Sequence, residues 1–162
     1  MKRLEIAGAL MRLRNGLFVH SRTSRFGVVP PSDQELMRRF LDETPFVFTG
    51  PEKWNALGLG TTVVFAVPRV YNKKRTGRFL FGNRAFDLRR VAFPESPPAE
   101  WFVVDLFENA ELAGTSRASL SVALDARLRR GAFDRDRLRD MARRYGTKAT
   151  QASVEEALRA SA

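Results

Sequence analysis

The chain contains no cysteine, which excludes disulfides, thiolate metal ligands and a cysteine nucleophile. Histidine is almost as scarce. His20 is the only one, and it falls in a short strand-like run, where a lone histidine is far more often structural than catalytic. No phosphate-binding glycine loop appears. Gly58-Leu59-Gly60 lacks the third glycine of a dinucleotide cradle and follows a helical pattern rather than a strand. There is no Glu-x-Lys with an upstream aspartate of the kind a restriction-type nuclease uses. No apolar stretch reaches the ~20 residues of a membrane span. Met1-Lys2-Arg3-Leu4-Glu5 lacks the apolar run of a signal peptide. These absences predict a soluble, cytoplasmic, non-catalytic protein. The carboxylates nearest to apolar residues are Asp87, Asp105 and Glu108. Asp105 and Glu108 share a helical face at i,i+3, which solvated surface or capping of N–H groups explains as well as acid–base chemistry does.

Cationic side chains are abundant. The 162 residues carry a formal net charge of +10 and a sequence pI near 11.1, while 44% hydrophobic residues suffice for a core. Such a surplus attracts polyanions over about a Debye length, roughly 8 Å at physiological salt. Nucleic acid, an acidic protein or an anionic surface would all answer to it. So would an arginine-rich composition that merely solvates the exterior.

Apolar spacing predicts a helix over Arg3–Arg14, stopped by Asn15-Gly16. A strand at Leu17–His20, a turn at Ser21–Ser24 and a returning strand at Arg25–Val29 follow. Ser32-Asp33-Gln34-Glu35 is a capping box that opens a helix with Leu36, Met37, Phe40 and Leu41 on its inner face. Pro51 suits the first turn of a short helix through Trp54 and Leu57, stopped at Gly58. The β-branched run Thr61–Val67, then Val70-Tyr71, then Phe79–Phe81 and Ala85–Leu88 around Gly82-Asn83 predict a central antiparallel sheet. After Pro97-Pro98 the chain turns helical. Glu100–Ala110 is ambiguous between helix and buried strand, with helix favoured because Asp105, Glu108 and Asn109 continue the segment. Leu120, Leu124 and Leu128 form one stripe, Asp134 caps a helix ending at Gly146, and Thr150 is read as the cap of the last one.

Two basic groups are candidate contacts. Arg3, Arg12 and Arg14 fall on the first predicted helix, and Arg22 and Arg25 on the hairpin after it. A winged helix-turn-helix presents cations in that order, helix to groove and wing to backbone. Arginine's planar fork suits both guanine and phosphate. The second group is Arg69, Lys73, Lys74, Arg75 and Arg78, around a basic turn. A third run from Arg127 to Arg139 alternates with Asp125, Asp134, Asp136 and Asp140 and reads as solvated, ion-paired helix faces.

The box Trp54-Asn55-Ala56-Leu57-Gly58-Leu59, the β-rich segment and basic turn after it, and Phe86-Asp87-Leu88-Arg89-Arg90 resemble the C-terminal region of AbiEi-family antitoxins. Ala9-Leu10-Met11-Arg12-Leu13-Arg14-Asn15-Gly16-Leu17-Phe18-Val19 resembles the recognition helix and wing of that family's N-terminal domain. Val104-Asp105-Leu106, the Leu-rich helix and Tyr145-Gly146 resemble its helical end. The resemblance spans nearly the whole chain and implies an α+β protein in two parts. Residues 1–31 would be a truncated winged-helix remnant and residues 32–162 the antitoxin domain, because only two residues precede Arg3 where the family carries further helices. It implies operator DNA and a nucleotidyltransferase-like toxin or its system as partners, no membrane, no metal and no required cofactor. An interaction module for an acidic protein, without DNA contact, is the alternative, and the oligomeric state is left open.

Overall fold

The computed structural model describes residues 10–14, 17–20 and 22–162, with side chains from Ser24 onward. The fold is α+β, with six helices among the described residues, a four-stranded mixed sheet and a helical C-terminal part. None of these helices is long and apolar enough to cross a membrane. The chain forms two compact units. One comprises Met1–Phe46 with Val70–Val91, the other Val47–Arg69 with Ala92–Ala162.

In the first unit, strands β1 (Leu10–Arg14) and β2 (Leu17–His20) form an antiparallel pair, Leu10 opposite His20 and Arg12 opposite Phe18. This corrects the helix expected over Arg3–Arg14 where it reaches Leu10–Arg14. The earlier part of that prediction lies outside the described residues. The physical reason is that Asn-Gly, read above as a helix stop, is equally the strongest short-range signal for a hairpin. Strands β3 (Arg22–Ser24) and β4 (Gly27–Val29) form a second antiparallel pair. Their tip is Arg25-Phe26, not Ser21–Ser24, and the Ser24 hydroxyl accepts the Phe26 N–H at 3.1 Å.

Helix α1 (Asp33–Phe40) begins at the expected capping box. Ser32 Oγ accepts the Glu35 N–H, and Glu35 reaches back to the Ser32 N–H at 3.0 Å. Its inner face buries Leu36, Met37 and Phe40. The Phe40 ring packs on Phe79 and Phe81, with centroids 4.9 and 4.8 Å away. Strands β5 (Phe46–Thr49), β6 (Arg69–Asn72), β7 (Gly77–Phe81) and β8 (Arg84–Arg90) are ordered β5–β6–β8–β7. Strands β7 and β8 make the expected antiparallel hairpin around Gly82-Asn83, Phe79 opposite Phe86. The sheet as a whole is mixed rather than wholly antiparallel, and its order puts β5 at one edge. Residues 61–67 form no strand despite their composition.

In the second unit, α2 (Pro51–Ala56) buries Trp54 completely. The ambiguous segment is helix α3 (Ala99–Glu108), and its Val103, Leu106 and Phe107 are inaccessible. Helix α4 (Arg117–Arg129) turns the Leu120, Leu124 and Leu128 stripe inward. Each of these leucines stabilises the unit by roughly 1.5–3 kcal/mol relative to exposure. Asp134 caps α5 (Arg135–Tyr145) as expected. Helix α6 (Lys148–Ala160) is capped by Thr147 instead of Thr150. Thr150 is a buried residue of the first turn, whose N–H the Thr147 hydroxyl accepts.

Candidate nucleic-acid interface

The basic turn between β6 and β7 is built around one buried amide. Asn72 ends β6 fully inaccessible to solvent. Its Oδ1 accepts the N–H groups of Lys74 at 2.8 Å and Arg75 at 2.7 Å, and an asparagine at a turn uses its side chain in this way to mimic the backbone. Its Nδ2 donates to the Arg75 carbonyl at 3.0 Å and to the Arg89 carbonyl at 3.3 Å. The Thr76 hydroxyl accepts the Arg90 N–H at 3.1 Å. The turn is thus fastened to the end of β8, which brings Arg89 and Arg90 beside Lys73, Lys74 and Arg75. Arg78 lies opposite Asp87 in the adjoining ladder.

These six cations are all exposed but differ in occupation. Lys74 Nζ is 2.9 Å from Asp42 Oδ2, and its hydrogen bond and charge hold the Asp42 carboxyl below its ordinary pKa. The Arg75 guanidinium sits 4.5 Å over the Phe40 ring. Arg89 Nε is 3.2 Å from Asp87. Lys73, Arg78 and Arg90 make no ion pair among the described residues. Three uncommitted cations therefore stand exposed around a turn whose backbone the Asn72 side chain holds.

Arg69, the remaining member of the predicted second group, belongs to the other unit. There it donates to Asn109 Oδ1 at 3.1 Å and lies 5.7 Å from the Phe65 ring centre. Of the first group, Arg3 lies outside the described residues. Arg12 and Arg14 are on β1 rather than on a helix, and Arg22 is within β3 rather than at a tip. The side chains of these three lie outside the description. Arg25 is exposed at the β3–β4 tip, its guanidinium 4.9 Å from the Phe26 ring centre.

The suspected carboxylate pair is divided between separate structural tasks. Asp105 is buried and accepts hydrogen bonds from Thr49 Oγ1, from Trp54 Nε1 at 2.8 Å and from Asn109 Nδ2 at 3.1 Å. Glu108 accepts the N–H and hydroxyl of Thr147 at 2.7 and 3.0 Å, tying α3 to the start of α6. No cluster of three metal-ligating side chains occurs among the described residues. Sequence reasoning passed over Glu100, a buried carboxylate that accepts the Asp134 N–H at 2.8 Å. It also left Arg89 and Arg90 out of the basic group, because the bond from Asn72 to the Arg89 carbonyl that joins them to the turn is long-range.

Charge is divided unevenly between the units. The first contains 15 lysines and arginines against 6 acidic residues, a surplus of nine; the second contains 13 against 12, a surplus of one. The mixed-sign run in the second unit is ion-paired: Arg129 with Asp125 at 2.9 Å, Arg139 with Asp136 and Glu155 at 3.2 and 3.1 Å, and Arg144 with Asp140 at 3.4 Å. Comparisons with protein-family models, with curated proteins and with solved structures find no match to this chain.

Proposed function

We propose that this chain is the antitoxin and transcriptional autoregulator of a type IV toxin–antitoxin system, a cytoplasmic protein that binds operator DNA and counteracts a nucleotidyltransferase-like toxin. The observation that carries the reading is the concentration of nine of the ten net positive charges in the first unit. A DNA duplex presents one negative charge per ~1.7 Å of axis, so a cationic unit gains by releasing condensed counterions. Lys73, Arg78 and Arg90 serve as phosphate contacts. Such contacts set position and register without reading bases. In the N-terminal segment Arg12, Arg14, Arg22 and Arg25 position further phosphates, and Arg3 lies nearer the base edges. The antitoxin class follows from the AbiEi resemblance of the quoted motifs, and the 1–31 and 32–162 division belongs to the same reading.

The test is a fluorescence-anisotropy titration of a duplex from the chain's own upstream region at several salt concentrations. Replacing Lys73, Arg78 and Arg90 together by alanine should flatten the log–log salt slope by about 0.9 for each phosphate that is no longer neutralised. An unchanged slope removes the turn from the interface. A chain that binds polyglutamate but no duplex at low salt would instead be a module for an acidic protein. Co-expression with a neighbouring nucleotidyltransferase tests the antitoxin half, since growth arrest that persists in its presence contradicts it.

A further inference from the structure

Residues 61–67, Thr-Thr-Val-Val-Phe-Ala-Val, have the composition of a strand and none of its partners. Their burial alternates. Val63, Phe65 and Val67 are half-buried, while Thr62, Val64 and Ala66 are exposed, Val64 by 84%. A period of two is the signature of extended chain, which holds over residues 61–65 before the chain bends at Ala66 and Val67. The inward set is seated within the second unit. Phe65 meets Trp54 edge-on, with centroids 5.7 Å apart and planes at 88°, and the Val63 carbonyl accepts Asn55 Nδ2 at 2.8 Å. The segment itself lines a groove of about 350 Å³ together with Phe48, Pro51 and the charged Glu52, Lys53 and Arg69. Among the described residues, the bond to Val63 is the only hydrogen bond that the backbone of residues 61–67 makes.

Backbone amides left without a ladder are a template for another strand, and proteins ordinarily guard such an edge with lysine, internal proline or charge. This edge has none of these. Trp54–Pro68 is the longest uncharged stretch of the sequence, within a chain of net charge +10. The segment lies in the second unit, whose charge surplus is one, so two copies can approach over it without the repulsion of the first unit. A two-fold interface also demands a patch that complements itself. Antiparallel pairing centred on Val64 sets Val64 against Val64, Val63 against Phe65 and Thr62 against Ala66. Every pair is uncharged, and β-branched residues recur across the seam. We propose that residues 61–67 are the pairing edge of a homodimer, in which two copies add their edges antiparallel across a two-fold axis at Val64.

The absence of native cysteine makes the proposal directly testable. Opposed residues of an antiparallel pair have Cα atoms about 4.5–5.5 Å apart, within reach of a disulfide. The full chain carrying Val64→Cys, freed of nucleic acid, is treated with diamide, which is reduced to the hydrazine as two thiols become one disulfide. The control is Val122→Cys, 73% exposed on α4. Covalent dimer is expected to form at least tenfold faster from the Val64 variant. In sedimentation equilibrium the unmodified chain should associate with rising concentration, and Val64→Pro should abolish association with an unchanged circular dichroism spectrum. Equal rates at the two positions, a dimer that survives Val64→Pro, or a chain monomeric up to millimolar concentration would each overturn the proposal. No step involves DNA, so failure here leaves the nucleic-acid reading standing, and the reverse also holds.

Discussion

Removing the Asn72 side chain should loosen the basic turn by an amount that can be worked out bond by bond. Asn72→Ala deletes four hydrogen bonds: two accepted from the Lys74 and Arg75 amides, two donated to the Arg75 and Arg89 carbonyls. A neutral hydrogen bond contributes about 1 kcal/mol net, more where its loss leaves a buried group unsatisfied. The turn is open to water, which partly replaces the missing partners of the Lys74 and Arg75 amides. The Arg89 carbonyl beside a fully buried side chain regains less. The sum is about 2–4 kcal/mol, a roughly 30- to 1,000-fold change in an opening equilibrium. Amide hydrogen exchange at Lys74 and Arg75 reads this directly, with urea denaturation followed by far-ultraviolet circular dichroism as the global measure. Tryptophan fluorescence is the wrong probe, since Trp54 and Trp101 both belong to the second unit. Asn72→Asp is the discriminating companion. A carboxylate still accepts both amides but cannot donate to the two carbonyls, so protection at Lys74 and Arg75 should outlast that in the alanine variant. Unchanged exchange at both amides in Asn72→Ala, with stability within about 0.5 kcal/mol of the parent, would refute the idea that this side chain organises the turn.

Gly146→Ala should destabilise the α5–α6 junction for want of space. The added Cβ would lie 2.8 Å from the Ala142 carbonyl oxygen and 3.2 Å from Thr150 Cγ2, while the backbone φ of −89° suits any residue. The cost is about 1–3 kcal/mol; calorimetry should show Tm lowered by several degrees, and an unchanged Tm would mean that the junction shifts freely. The Asp42–Lys74 pair should respond to acid. Because the Asp42 carboxyl is held below the ordinary value in the folded state, the pair contributes stability above that ordinary value, and this contribution disappears as pH falls through the lowered one. Carbon-detected titration should place the Asp42 midpoint below that of an unperturbed aspartate, and Lys74→Met should return it; equal midpoints in the two chains would contradict the pairing.

The signals that were legible in the sequence are those whose physics is local. The Ser32–Glu35 box, the Asp134 cap and the Gly82-Asn83 hairpin each depend on residues within a few positions of one another, and each lies where spacing puts it. The Leu120–Leu124–Leu128 stripe and the Trp54 helix follow equally from periodicity. Errors arose where one local signal serves two structures. Asn15-Gly16 ends helices and reverses hairpins, so Leu10–Arg14 could not be assigned from its own spacing. Thr147 and Thr150 are both able caps, and the choice between them is made by Glu108, 39 positions earlier, which receives the Thr147 N–H. Residues 61–67 have a strand's composition but no ladder partner, and composition carries no information about partners. The candidate interface was half visible. Lys73, Lys74, Arg75 and Arg78 stand out as a cluster, whereas the long-range bond from Asn72 to Arg89 that adds two more arginines does not.

Net charge alone cannot separate a polyanion-binding protein from one that is merely arginine-rich, but the distribution of charge can. Compositional bias toward arginine acts along the whole chain and should leave a surplus in both units. The second unit is rich in arginine and nearly neutral, because its cations are matched in number by acids and several are tied to them across helix turns. The shorter first unit holds more cations against half as many acids, so self-repulsion is concentrated where a neutral partner would leave it unrelieved. Arginine richness accounts for the composition of the second unit; the imbalance of the first is what the proposed polyanion would relieve as it binds. The same argument sets the order of salt effects. Added salt should stabilise the isolated chain by screening the first unit's repulsion, yet weaken any complex with nucleic acid, because counterion release then gains less.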